Sequence, residues 1–212
     1  MELISTFQDL LFPPNCLGCG VHGATLCPQC KNFFTLRDYQ SHVGSISVFS
    51  AVNYNPVTRQ ILLAAKEDGV RSADDLIVDA LHHSILRAMR QSGNQPILVP
   101  IPSATRAVRK RGRDFVQEIS KGLSRLVGLP VHNLLRHNRR VNDQSLLDAS
   151  ARIENLDGAI TLAKHSVRLH EVLLIDDLVT TGATLNEAVR TLEMGGFRVA
   201  GAVTALVALP LR

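Results

Sequence analysis

The chain has 212 residues, of which 45% are hydrophobic and 20% charged, with four cysteines, no tryptophan and a formal net charge of +4. That length buries one full α/β core plus a small accessory module, and the composition excludes a disordered or fibrous chain. No apolar run approaches the ~18 residues needed to span a bilayer, and Met1 to Ser5 lack the basic and apolar regions of a secretory signal. The expectation is a cytoplasmic protein without a membrane span, mildly basic and so suited to anionic ligands, with nucleic acid not implied by charge alone.

Residues 1–15 carry Leu3, Ile4, Phe7, Leu10 and Leu11 at helical spacing before Pro13 and Pro14, which predicts a short amphipathic helix. That helix is free to pack on the core, on the next module or on another subunit, so an oligomer is open. Cys16 and Cys19, then Cys27 and Cys30, form two Cys-x-x-Cys knuckles seven residues apart. Such spacing brings four thiolates to the corners of one structural zinc; a redox pair, disulfides and iron–sulfur ligation are the alternatives. Residues 31–44 read as a linker, which divides the chain into a metal module over 1–44 and an α/β domain over 45–212.

Ile46 to Tyr54 predicts a strand. Pro56 then opens a helix through Ile61, Leu62, Ala64 and Ala65 that runs into Lys66, ahead of a turn at Gly69. Ser72 to Asp75 predict the cap of a long amphipathic helix bearing Leu76, Ile77, Ala80, Leu81, Ile85, Leu86 and Met89, with His82 and His83 on its surface. Ile97 to Ile101 is the next strand, and Pro100 suggests an edge position. Arg106, Arg109, Lys110, Arg111 and Arg113 then put five cations into eight residues. They suit either a solvated basic loop or a mobile arm that neutralises a departing anion. Phe115 to Val127 has helical periodicity and stops at Gly128. Residues 129–171 are less regular, with a short strand near Val131 to Leu135 and polar positions at Gln144 and Arg152.

Val172 to Thr184 organises the rest. Val172, Leu173, Leu174 and Ile175 predict a strand buried on both faces. Asp176 and Asp177 stand at its carboxyl end, where open α/β sheets bind ligands. The loop Thr180, Thr181, Gly182, Ala183, Thr184 offers backbone amides and hydroxyls to a phosphate. Thr184 and Glu187 have capping-box spacing at the start of the following helix. The acids would repel a phosphate unless they face sugar hydroxyls or Mg²⁺, so a sugar phosphate with vicinal hydroxyls suits all the parts. A Walker-B-like strand is the bland alternative, but no Walker A sequence accompanies it. Gly195 and Gly196 end that helix, and Val199 to Val207 supply a last buried strand. Alternation of strands and helices predicts an open, mostly parallel α/β sheet.

The Val172–Thr184 run resembles the phosphoribosyl pyrophosphate (PRPP) motif of type I phosphoribosyltransferases. Nearly the whole chain is similar to the ComF/GntX family. Leu11 to Cys16 with the two knuckles, Tyr54 with Lys66, Val99 to Pro102 before the arginine arm, and Gln144, Arg152, Asn155, Gly158 and Ala159 carry that likeness. One departure is Arg113, where such chains commonly carry an aromatic residue. The resemblance implies a type I phosphoribosyltransferase fold beside an N-terminal zinc module of four cysteines. It further implies PRPP or ribose 5-phosphate bound with Mg²⁺, and transfer of phosphoribosyl to an unidentified nucleophile. Asp176 and Asp177 would orient the ribose, Thr180 to Thr184 would hold the 5′-phosphate, and Lys66 and Arg111 would stabilise pyrophosphate. Hypoxanthine-guanine enzymes have an aspartate where Thr180 stands, which argues against a 6-oxopurine acceptor. The family's link to DNA uptake in competence implies an alternative, a non-catalytic protein that binds single-stranded DNA and retains the phosphosugar site.

Overall fold

In the computed structural model, residues 14–93, 95–138, 158–164 and 170–211 are described. Residues 1–13 of the expected N-terminal helix, and positions Gln144, Arg152 and Asn155, lie outside them. The first described helix, α1 (Pro28–Phe33), belongs to the cysteine module. The hairpin β1 (Tyr39–Val43) and β2 (Ile46–Asn53) follows. Residues 31–44 are therefore more than a linker, since β1 pairs antiparallel with β2 and extends the main sheet.

Next come α2 (Pro56–Lys66), α3 (Arg71–Ser92) and β3 (Ile97–Pro100). The arginine-rich stretch is α4 (Thr105–Arg111), a helix with no buried residue, and not a loop. After α5 (Phe115–Val127), β4 (Leu135–His137) pairs antiparallel with β5 (Ile160–Leu162). The chain closes with β6 (Glu171–Val179), α6 (Ala183–Met194) and β7 (Arg198–Val207).

The five-stranded sheet runs β1-β2-β7-β6-β3, and every pairing except β1 with β2 is parallel. Pro100 sits on β3, an edge strand, where its missing N–H costs no ladder bond. Strand β6 lies between β7 and β3, so its residues face apolar layers on both sides. Leu173 and Ile175 pack with Ile61, Ile77, Leu81, Ile85, Phe115 and Leu123 of α2, α3 and α5. Val172 and Leu174 pack on the opposite side with Leu185, Ala188 and Leu192 of α6 and with Leu135 and Ile160 of the small hairpin. This two-sided burial is why the strand reads as an unbroken apolar run.

The helices leaving β3 and β6 thus cover opposite faces. The carboxyl end of β6 lies at that divergence, where doubly wound sheets open a crevice. Among the described residues, no helix is long and apolar enough to cross a membrane.

Two expected caps are absent. Helix α3 begins at Arg71 with Val70 as N-cap and no side-chain cap, leaving Ser72 inside the helix. Helix α6 has Gly182 as N-cap and no side-chain cap. Glu187 is buried and its carboxylate is spent elsewhere: Oε1 accepts the Gly158 amide at 2.9 Å, and both oxygens pair with Arg190. With Thr191 Oγ1 donating to Ile160 O at 3.2 Å, Glu187 ties α6 to the start of β5. The tertiary contact wins over the local cap because a buried carboxylate needs strong donors.

Candidate phosphosugar site and cysteine centre

Asp176 and Asp177 end the apolar run of β6, and strand alternation sends their side chains to opposite faces. Asp177 is buried at 4% exposure, toward α2, where the ammonium of Lys66 pairs with it. Lys66 reaches it from the last turn of α2, whose start is fixed by a capping box between Asn55 and Thr58. Burial alone would lower the Lys66 pKa, but the carboxylates of Asp177 and Asp176 outweigh it and hold the ammonium above its usual range. Asp176 Oδ1 accepts the Asp177 amide at 2.9 Å. Burial, then the neighbouring Asp177 charge, pushes the Asp176 carboxyl well above the ordinary carboxylate range.

Beyond Val179 the chain enters Thr180 to Thr184. Asp176, Leu178, Val179 and this loop line one concavity at the head of α6. Thr181 Oγ1 accepts the Ala183 amide at 3.3 Å. First-turn amides of a helix lack intrahelical acceptors, so those of Thr184 and Leu185 suit an anion. Gly182 is obligatory here. Its φ of +76° is left-handed, and a Cβ would lie 2.5 Å from Val43 Cγ2 and 2.7 Å from Val43 Cγ1. Gly182→Ala therefore combines backbone strain with overpacking, and should destabilise by ~2–4 kcal/mol. Thermal melting checks this: adding Val43→Ala should recover the packing part and leave the backbone part.

Arg111, at the end of α4, approaches the same place from the arm. Its side chain is only 6% exposed; Nε donates to Ala107 O at 3.2 Å and lies 3.6 Å from Glu67 Oε1. Its Nη1 is buried without a partner. Because Glu67 follows Lys66 directly, α2 and the arm set two cations beside the acid pair; the Arg111 charge is felt at Lys66. The structure brings together all four residues singled out for the chemistry, and places Thr180 to Thr184 at the same strand end.

Several supporting contacts were invisible in the sequence. Ser103 Oγ donates to Asp114 Oδ1 at 3.0 Å, tying the two ends of the arm together. The ring of His137 meets the Pro102 carbonyl and the Asp114 charge, and burial lowers its pKa. Neither residue stands in a motif, and both act across the fold.

The cysteines form a separate centre. Knuckle turns such as Gly20 N–H to Cys16 O (2.8 Å) bring all four Sγ atoms within 4.8 Å of one another. Cys19 and Cys27 Sγ are 3.7 Å apart, too far for a disulfide and close to the ~3.8 Å edge of a tetrahedron with Zn–S bonds near 2.3 Å. Cys16, Cys19, Cys27 and Cys30 could thus hold one zinc. Burial raises the Cys16 pKa, but the amides of Cys27, Cys19 and Gly18 overcome it and bring the thiol to about 6. Cys30 goes the other way, pushed far up by burial and by its sulfur neighbours. Four thiolates in that space need a cation between them. The module docks through Val57 of α2, against the cysteines, and through Leu17 and Leu26 on the main core.

A model of the phosphoribosyl transferase domain matches residues 75–208. The chain belongs to that family. Competence protein F of Haemophilus influenzae is 32% identical over 102 residues, which cover 47% of this chain and 44% of that protein. The match thus spans less than half of that relative. Among solved structures, an adenine phosphoribosyltransferase aligns over 86% of this chain and 91% of its own, at 12% identity and a TM-score of 0.48. Orotate phosphoribosyltransferase from Aeropyrum pernix aligns over 82% and 74%, at 14% identity and a TM-score of 0.41. This is a phosphoribosyltransferase-like protein of the ComF type, with the open, mostly parallel sheet of the type I fold and four cysteines placed for a zinc module.

Proposed function

We propose that the chain binds PRPP at the carboxyl end of β6 and transfers its phosphoribosyl group to a nucleophile. The observation that supports this most is the convergence of Lys66 and Arg111, from two separate segments, on the Asp176–Asp177 pair beside the Thr180–Thr184 loop. The loop amides and hydroxyls would hold the 5′-phosphate. Asp176 and Asp177 would accept hydrogen bonds from the ribose hydroxyls. Lys66 would exchange Asp177 for a pyrophosphate oxygen, and the unpartnered Nη1 of Arg111 would take another. The acid pair is a hard-oxygen donor set that fits Mg²⁺, which, when bound, supplies charge neutralisation for the pyrophosphate.

In the transfer, the bond from the ribose anomeric carbon to pyrophosphate breaks and its electron pair leaves with pyrophosphate. The nucleophile bonds to the same carbon and loses its proton. Charge then builds on the leaving group, where preorganised cations lower the barrier most. Thr180 is no base, so the acceptor's proton leaves by another route, which argues against a 6-oxopurine.

The raised Asp176 pKa supplies a test. A carboxyl whose folded pKa is raised stabilises the fold fully below its ordinary value and loses that contribution as pH rises through the folded value, so the ionised group is a cost that ligand relieves. Ribose hydroxyls and Mg²⁺ favour the ionised form. PRPP binding should therefore pull Asp176 toward its ionised form, so affinity measured by calorimetry across a pH series should fall as pH drops through the range in which the carboxyl takes up its proton. An affinity that stays constant across the acidic pH series contradicts the assignment of Asp176.

A second reading rests on α4, whose Arg106, Arg109 and Lys110 lie on a helix without buried residues. Such a stripe suits single-stranded DNA, consistent with the competence protein it is similar to, although aromatic content of 4% leaves few stacking platforms. Salt-dependent anisotropy with an oligonucleotide, lost on neutralising these three cations, would favour that reading.

A further inference from the structure

We propose that Arg113 is a positioning residue that fastens the turn after Lys66 to the foot of the arginine arm, setting Lys66 and Arg111 side by side as one anion subsite. The identity of that anion as pyrophosphate rests on the function proposed above; the clamp itself does not.

Arg113 engages α3 and α5 and lies against the turn that follows Lys66. Its Nη2 donates to Asp74 Oδ2 at 2.9 Å, on the first turn of α3. Its Nε lies 2.9 Å from Glu118 Oε2 on the first turn of α5, an ion pair without the alignment of a hydrogen bond. Its Cζ stands 5.1 Å from the ring centroid of the fully buried Phe115. Its Nη1 lies 3.5 Å from the point where a Cβ on Gly69 would be, at the turn that follows Lys66. The side chain is 19% exposed and that of Asp74 22%, so water screens the Arg113–Asp74 pair less than a surface pair.

Arg111 and Arg113 therefore do opposite work two residues apart. Gly112, at φ +75°, turns the chain between them. Arg111 faces one carboxylate, that of Glu67, and keeps its terminal Nη1 buried without a partner, whereas Arg113 is opposed by two carboxylates and stacked on a ring. An arriving anion meets a locally negative balance at Arg113, since Asp74 and Glu118 outnumber it. That excludes Arg113 as an anion ligand and leaves it as the tie between the Lys66 turn, α3, the arm and α5. An aromatic residue at this position could stack on Phe115 but could not reach both carboxylates.

The test compares wild type with Arg113→Met, Arg113→Lys and Asp74→Asn, the last being the mildest to the fold. Pyrophosphate and ribose 5-phosphate are titrated separately by calorimetry, and trypsin cleavage after Arg106, Arg109 and Lys110 is timed without ligand. Arg113→Met should weaken pyrophosphate roughly tenfold or more while ribose 5-phosphate, held by the Thr180–Thr184 loop, changes by less than about twofold. Trypsin should cut the arm several-fold faster. Arg113→Lys should recover only part, because an ammonium cannot span both carboxylates, and Asp74→Asn should reproduce the selective pattern. Equal weakening of both ligands would mean general destabilisation, and unchanged cleavage would mean no clamp; either overturns the proposal. A folded wild type that binds neither anion sinks the phosphosugar reading instead, and the trypsin comparison still judges the clamp.

Discussion

Asp177→Asn is expected to lower affinity for PRPP in the presence of Mg²⁺ by ~100-fold or more, while the fold survives. Asparagine has the same shape but cannot match a carboxylate toward ribose hydroxyls or Mg²⁺; hydrogen bonds to a charged group are worth ~1.5–3 kcal/mol each, and each 1.4 kcal/mol is tenfold. The fold tolerates the change because the partner is accessible. Lys66, with a side chain 27% exposed, can return its ammonium to water when Asp177 no longer holds it. Its pKa, now raised by the two carboxylates, should drop toward the ordinary lysine range. Calorimetry of mutant and wild type, with circular dichroism as the check on folding, measures this. Unchanged affinity in a folded mutant would remove Asp177 from the site.

The second large effect concerns the cysteine centre. Cys30→Ser should reduce bound zinc from about one per chain to near zero by atomic emission, because a closed site of four thiolates has no spare ligand. Cys30 is 3% exposed, and a Cβ on Gly18 would lie 2.8 Å from its Sγ, so the serine hydroxyl would sit in a space built for a thiolate. Structural zinc carries folding free energy of ~10 kcal/mol or more in isolated modules, so the module should loosen and melting of the whole chain should fall by ~5 °C or more. The loss should extend to α2, since Val57 packs on the cysteines and Asn55 Nδ2 donates to Phe33 O at 3.4 Å. Zinc affinity in wild type should also weaken as pH falls through about 6, where Cys16 takes up a proton in competition with the metal. A Cys30→Ser protein with full zinc content would contradict the four-thiolate centre.

What could be foreseen follows from how local each feature is. Strand β6, its acid pair, the hydroxyl loop and α6 are contiguous, and burial on both faces of β6 imprints an unbroken apolar run, so this unit was legible apart from the cap of α6. The cysteine knuckles were legible for the same reason. Strand β1 was missed because Tyr39-Gln40-Ser41-His42-Val43 holds only one fully buried residue, Val43, and is recruited to the sheet by pairing with β2. Helix α4 was not foreseen because it puts no apolar residue into the core, so no apolar periodicity marks it. The expected caps failed for two reasons: α3 begins at Arg71, which leaves Ser72 inside the helix, and Glu187 is claimed by the Gly158 amide across the fold and by Arg190 one turn on. Lys66, whose place before a glycine turn suggests only a favourable helix-dipole partner, is nominated through the family resemblance; its pairing with Asp177 joins positions 111 residues apart and depends on α2 packing against the β6 face. Arg113 stood out as one of the five clustered cations and as a departure from an expected aromatic residue; its partners across α3 and α5 required the fold.

A working phosphosugar site at the end of β6 is tested most directly by titrating PRPP with Mg²⁺ into the zinc-loaded wild-type chain. Saturable binding in the micromolar range, competed by pyrophosphate, is the expected result and would justify screening nucleophiles for pyrophosphate release. No binding heat, in protein shown to be folded and zinc-replete, would contradict it and leave the acid pair and hydroxyl loop as scaffold.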